Sequence, residues 1–140
     1  MIDTSVMVAG LVADHEFHAL ARPHVVAAVE SRVPGVVLAE TWAALRRAPW
    51  NLGVQVVDAA LAPWRTEDRI VATPASVYTE VLQTGRALNL GGNVHDLIIA
   101  LTCRAHGLPL VTLDRRQSTL ASGVASLDVT LLLPGGTPSN

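Results

Sequence analysis

Apolar positions along the 140-residue chain fall into two kinds of segment. Some are helix-length stretches with apolar residues three and four apart, others are short unbroken runs of strand length, and their alternation predicts an α/β domain. Met1, Ile2 and Asp3 read as the end of a strand, with Thr4 and Ser5 capping a helix over Val6 to Ala13. A second helix spans Asp14 to Glu30, with Arg22-Pro23 as a kink or boundary. Pro34-Gly35 breaks the chain, helical spacing returns over Val36 to Arg47, and a short helix covers Leu52 to Leu61. Arg69 to Ala72 reads as a strand, and Thr73-Pro74 opens a helix from Ala75 to Asn89. Gly91-Gly92-Asn93 acts as stop and cap before Val94 to His106, which is apolar on nearly every side and so predicts a buried helix ended by Gly107. Leu108 to Leu113 and Val129 to Leu133 are the last strand candidates. The chain reads as one domain over residues 1–134, and residues 135–140 as a flexible tail.

Composition narrows the class. Half of the residues are apolar and 16% are charged, enough for a sizeable core. The longest apolar run, Val6 to Ala13, is far shorter than the roughly 20 residues a membrane helix needs, so no membrane span is expected. Nothing marks the chain for export, which makes the cytoplasm the default location. The single cysteine, Cys103, can form neither an internal disulfide nor a thiolate metal cage. A net charge of −2 argues against a protein that coats nucleic acid with a basic face, but leaves room for an enzyme acting on it. All ten basic residues are arginine, the residue suited to bidentate contact with phosphate; a GC-rich coding bias accounts for the same fact.

The informative residues are four acids set in apolar sequence. Glu40 has Val36 and Val37 one turn before it and Ala43 and Ala44 one turn after, which predicts a buried face. Asp96 shares a stripe with Ile99, Ala100 and Cys103, where an isolated charge is expensive. Asp3 and Asp114 each follow a strand candidate, and ligands of open parallel sheets bind beyond the carboxyl ends of the strands. Taken singly, each acid has an ordinary explanation: Asp3 as a helix cap, Asp114 as part of a turn, Asp96 in a first helical turn behind Asn93, Glu40 paired with an arginine. A shared site accounts for all four together.

Electrostatics then dictates what fills that site. Two carboxylates about 4 Å apart repel by roughly 4 kcal/mol at an effective dielectric near 20. Four need a cation, and ligation by oxygen alone selects Mg²⁺ or Mn²⁺, completed by waters and substrate phosphate oxygens. That points to phosphodiester chemistry. Arg115 and Arg116 directly after Asp114, and Arg46 and Arg47 past Glu40, are candidate phosphate contacts or simply a solvated face.

Four segments carry a resemblance. Met-Ile-Asp-Thr-Ser at the start, Leu-Ala-Glu-Thr-Trp around Glu40, His-Asp-Leu-Ile-Ile-Ala around Asp96 and Leu-Val-Thr-Leu-Asp-Arg-Arg around Asp114 resemble the PIN-domain family, and within it the VapC type of toxin ribonuclease. The match runs in order from about Ile2 to Leu133. It implies a three-layer α/β/α domain with a short parallel sheet, an Mg²⁺- or Mn²⁺-dependent endoribonuclease, a homodimer, and a small antitoxin as partner. It also implies that Asp3, Glu40, Asp96 and Asp114 are the catalytic and metal-binding acids. Ser5 and Thr112 would be hydroxyl supports, with Arg115 beside them at the substrate. Two departures stand out: only Met1 and Ile2 precede the first aspartate, and Gln117, Ser118 and Thr119 follow Asp114 where the family often has an aromatic residue.

Other features carry less. His15 and His18 lack a third nearby zinc ligand and read as a surface or dimer edge. His95, next to Asp96, reads as local packing ahead of a contact to substrate or to a water beside the site, and Trp42, Trp50 and Trp64 read as core or interface anchors. Gly91-Gly92 lacks the lysine of a phosphate loop. The expected activity is RNA hydrolysis by a toxin of a toxin and antitoxin pair. Its alternatives are a metal phosphatase or DNA nuclease using the same acids, and a catalytically weak PIN-like scaffold acting through partner binding.

Overall fold

A computed structural model describes residues 1–87 and 93–134. Its elements run α1 (Thr4–Leu11), α2 (His18–Glu30), β1 (Val33–Pro34), α3 (Gly35–Leu45), α4 (Val54–Leu61), β2 (Ile70–Val71), α5 (Ala75–Ala87), α6 (Val94–Ala105), β3 (Leu110–Thr112), α7 (Arg115–Ser122) and β4 (Val129–Leu131). Helices pack around short parallel pairings, the α/β/α arrangement expected. The predicted stop at Gly91-Gly92, the end of the helix at Asn89 and the tail 135–140 lie outside the described residues. Among the described residues, no helix is long and apolar enough to cross a membrane.

β3 holds the site's backbone together. It pairs in parallel with β4, Leu110 opposite Val129 and Thr112 opposite Leu131. On its other side Val111 bridges Ile2, with the Asp3 N–H donating to the Val111 carbonyl at 3.1 Å and the Val111 N–H to the Met1 carbonyl at 2.7 Å. The first strand is therefore a single bridge, but Ile2 is buried and the chain is pinned on both sides of it. A second parallel pair, β1 with β2, matches Val33 to Ile70 and Pro34 to Val71.

Several boundaries differ from the sequence reading. The cap of α1 is Asp3 itself, so Thr4 and Ser5 are the first helical residues. α2 starts at His18, because residues 12–17 turn the chain back along α1: the His18 N–H donates to the His15 carbonyl at 2.8 Å and its Nδ1 pairs with the Ala9 carbonyl at 3.0 Å. Pro23 does not end α2, which runs through it. It lies on the exposed face, and the carbonyl four residues earlier, on exposed Ala19, is open to water. β1 and α7 were both unforeseen. Val33-Pro34 forms a strand despite its proline, and Asp114-Arg-Arg-Gln begins a helix with an acid at the cap and Gln117 three residues on, a spacing that resembles a capping box.

The core gathers around Val6, Met7, Val25, Val33, Ile99, Ala100 and Leu110, with α6 buried from Leu97 to Cys103 as its composition predicts. Gly107 follows α6 at φ +62°, the left-handed position that ends a helix. Of the tryptophans only Trp64 is fully buried, its indole N–H donating to the Ala28 carbonyl at 2.9 Å, whereas Trp42 is 37% exposed and is not a core residue. The buried face of α3 is Val37, Thr41 and Leu45, so Glu40 stands at its border rather than within it.

Candidate active site

Asp3 owes its place to two local demands. The bridge to β3 ends at this residue and α1 begins at the next, so its carboxylate caps the helix, Oδ1 accepting from the Val6 N–H at 2.9 Å. The same oxygen accepts from the Ser5 hydroxyl at 2.7 Å, and Oδ2 from the Thr112 hydroxyl at 2.5 Å. Burial raises the Asp3 pKa above the usual carboxylate range, against the pull of these hydrogen bonds, and the Asp114 charge raises it further.

Asp114 repeats the arrangement at the end of β3. It caps α7, Oδ1 accepting from the N–H groups of Arg116 at 2.7 Å and Gln117 at 3.3 Å. Ser5 and Thr112 tie the two strand ends together. Thr112 Oγ1 accepts from the Asp114 N–H at 2.9 Å, and Ser5 Oγ accepts from the Leu113 N–H at 3.0 Å while donating to Asp3. Both residues are thus caps: the role considered for Asp3 is real, and at Asp114 a cap replaces the turn expected from the sequence. Capping coexists with a shared location because a capping carboxylate points along the helix axis beyond the strand ends.

Among the described residues Glu40 meets no arginine. Its Oε2 accepts from the Thr4 hydroxyl at 2.6 Å and its Oε1 pairs with His95 Nδ1 at 2.8 Å, so α3 is latched to α1 and to α6. His95 therefore does more than pack locally: it holds a carboxylate of the site. Asp96 sits one residue further, half-buried in the first turn of α6. Its pKa is raised to about 6, first by burial and then by the charges of Glu40, Asp114 and Asp3. Gln117, fully buried, donates from Nε2 to the Asp96 carbonyl at 3.0 Å, joining α7 to α6.

Asp3, Glu40, Asp96 and Asp114 line one groove of about 800 Å³, with Thr4, Ser5, Arg115 and Arg116. Thr112 stands behind it, fully buried. Arg46 and Arg47 are not among the lining residues; their guanidinium groups cap the carbonyls of Leu52 and Ala43 instead. Among the described residues His15 and His18 belong to no group of three metal-binding side chains, and each engages a different main-chain group through Nδ1. Cys103 is buried and its thiol is pushed up to about 11, chiefly by burial, which leaves it inert.

The donors are oxygens, and the charges of the other three acids raise the proton affinity of Asp96, the condition a cation relieves. Among the described residues no three of the site's acids make a closed cage of ligands. The arrangement fits a hard divalent ion that keeps several waters and takes one or two carboxylates directly, and does not fit zinc.

Comparison with known proteins agrees with this architecture. Mycobacterium tuberculosis VapC20, described as a sarcin-ricin loop cleaving toxin, aligns with a TM-score of 0.67 at 22% identity, over 91% of this chain and 97% of that one. FitAcB from Neisseria gonorrhoeae aligns at 0.60 and 16% identity, over 92% and 94% of the two chains. A structure of FitAB bound to a DNA fragment aligns at 0.62 and 15% identity, over 96% and 98%. At these identities they share the fold. No curated protein matches the chain significantly. The profile of the PIN domain matches residues 1–123, and the chain belongs to that family.

Proposed function

We propose that this PIN domain is a metal-dependent endoribonuclease, the toxin of a type II toxin and antitoxin pair. The observation that carries the reading is the convergence of four acids, from two strand ends and two helices, on one groove in which burial and then the charges of the other three raise the pKa of Asp96. VapC20, one of the proteins sharing the fold, is described as cleaving the sarcin-ricin loop. Asp3, Glu40, Asp96 and Asp114 would hold Mg²⁺ or Mn²⁺, one or two of them directly and the others through its waters, and the ion would activate a water and offset the charge on the scissile phosphate.

The chain's own residues supply order. Ser5 and Thr112 fix both oxygens of Asp3, Thr4 and His95 fix both oxygens of Glu40, and the first turn of α7 fixes Asp114. Asp96, whose carboxyl is raised to about 6 in the metal-free groove, would give up its proton on metal binding and serve as a ligand. Arg115 and Arg116 on the rim receive flanking phosphates. In the reaction the water oxygen bonds to phosphorus as the bond to the 3′ oxygen breaks, leaving a 5′-phosphate and a 3′-hydroxyl. A small antitoxin, a second copy of the chain as homodimer partner and a cytoplasmic setting complete the proposal.

The test is cleavage of RNA, DNA and small phosphoesters by the purified chain with Mg²⁺ or Mn²⁺. RNA cleavage abolished by chelation and by Asp96→Asn is expected. Activity that survives either change overturns the mechanism, and preference for DNA or phosphoesters overturns the substrate.

A further inference from the structure

The groove does not stop at the acids. Beyond Thr4 and Ser5 it continues past Val8 on α1 and, beyond Glu40, past Ala44 on α3, then reaches His15, Glu16 and Phe17 in the connection between α1 and α2. α1 has eight residues at about 1.5 Å each, which puts this connection roughly 12 Å from the Asp3 cap.

Three rings cluster there. The His15 and Phe17 centroids lie 5.8 Å apart at 44°, and those of His15 and Trp50 lie 5.5 Å apart at 32°. Both separations fall in the range of interacting aromatic pairs. The imidazole is also fixed in its plane: the Phe17 N–H donates to His15 Nδ1 at 3.1 Å, so in the neutral ring the proton resides on Nε2 and is available as a donor. All three side chains are half-buried, and His15 and Phe17 line the groove. A half-buried aromatic cluster oriented by the main chain offers rigid aromatic faces on which a flat ring can stack.

Charge decides what this stretch of the groove accepts. The basic residues among those lining it, Arg115 and Arg116, flank Asp114, whereas the aromatic stretch carries the carboxylate of Glu16. A phosphate is repelled by Glu16, but a nucleobase has no charge and stacks on any aromatic face. Resting on the ribonuclease reading above, we propose that His15 and Phe17, with Trp50 backing the His15 ring, form a stacking subsite for one unpaired base of the RNA. That base belongs to a nucleotide flanking the scissile phosphate, and the His15 Nε2–H is a donor to its edge. The substrate class that follows is RNA single-stranded or looped out beside the cut, since a paired base cannot enter.

The experiment uses a short single-stranded RNA that the wild type cleaves with Mn²⁺, and the same RNA with an abasic nucleotide at each position in turn. His15→Ala removes a ring, and Phe17→Leu removes aromaticity while keeping the packing volume. Each variant is expected to raise KM about tenfold with kcat held within about twofold. Binding by the Asp96→Asn background should weaken by the same factor. One abasic position should reproduce the loss in the wild type and add nothing further in either variant. Unchanged KM in both folded variants, or losses that simply add at every abasic position, overturn the subsite and leave the nuclease reading intact. A wild type that cleaves no RNA overturns both.

Discussion

The Thr112 hydroxyl joins two acids that are 111 residues apart in sequence: it donates to Asp3 Oδ2 at 2.5 Å while its oxygen accepts the Asp114 N–H at 2.9 Å. Thr112 is fully buried. Thr112→Val keeps the shape but leaves a buried carboxylate oxygen and a main-chain N–H without partners, and should cost about 1–3 kcal/mol in urea unfolding. Thr112→Ser should recover most of it. A valine variant as stable as the wild type would show that the bridge contributes nothing.

Asp96 makes stability depend on pH in a defined direction. Its ordinary pKa of 3.8 is raised to about 6 in the fold, so the folded state holds this proton more tightly than the unfolded chain. The contribution is complete below the ordinary value and disappears as pH rises through about 6. Asp96→Asn abolishes the dependence. In metal-free protein it should raise Tm near neutral pH, and the gain over wild type should shrink as the pH approaches about 4. A gain that stays constant across the range counts against the assignment.

Divalent ions should act on the same charges. Mn²⁺ that binds only the folded site stabilises it by about 2.7 kcal/mol at a concentration near 100 times its Kd. Binding displaces the proton of Asp96, so apparent affinity should climb between about pH 5 and 7 and then level off. Thermal unfolding with and without Mn²⁺, repeated on Asp3→Asn and Asp114→Asn, measures this. Equal shifts in the wild type and both variants would place the ion elsewhere.

Gly10 sets the spacing of α1 against α2. A β-carbon there would stand 3.1 Å from Val25 Cβ and 3.2 Å from the Ala21 carbonyl oxygen, and still closer to Val25 Cγ2. Gly10→Ala should therefore destabilise by about 1–3 kcal/mol despite the better helix propensity of alanine. Pairing it with Val25→Ala should return part of the loss in denaturant titration, because the clash is mostly with that side chain.

Much of this molecule is written locally. Apolar runs, two residues long before Asp3 and of strand length before Asp114, stop where an acid caps the next helix, and the all-round apolar character of Val94 to His106 reports the buried helix that carries Asp96. These signals act over a few residues, through capping, periodicity and burial, and so are visible without a fold. Even so, α7 was missed, since its cap was read only as a turn, and α2 was begun too early, since its start depends on a turn that folds back on α1. What no local pattern contains is which side chains meet. The grip of Thr4 and His95 on Glu40, the reach of Gln117 to the Asp96 carbonyl and the extension of the groove to His15 and Phe17 all join distant elements. The sequence by itself determined the four acids and the elements that present them. Only the tertiary packing of α1, α3, α6 and α7 decided their partners, because contacts between distant residues depend on how helices dock and not on the spacing within any one of them.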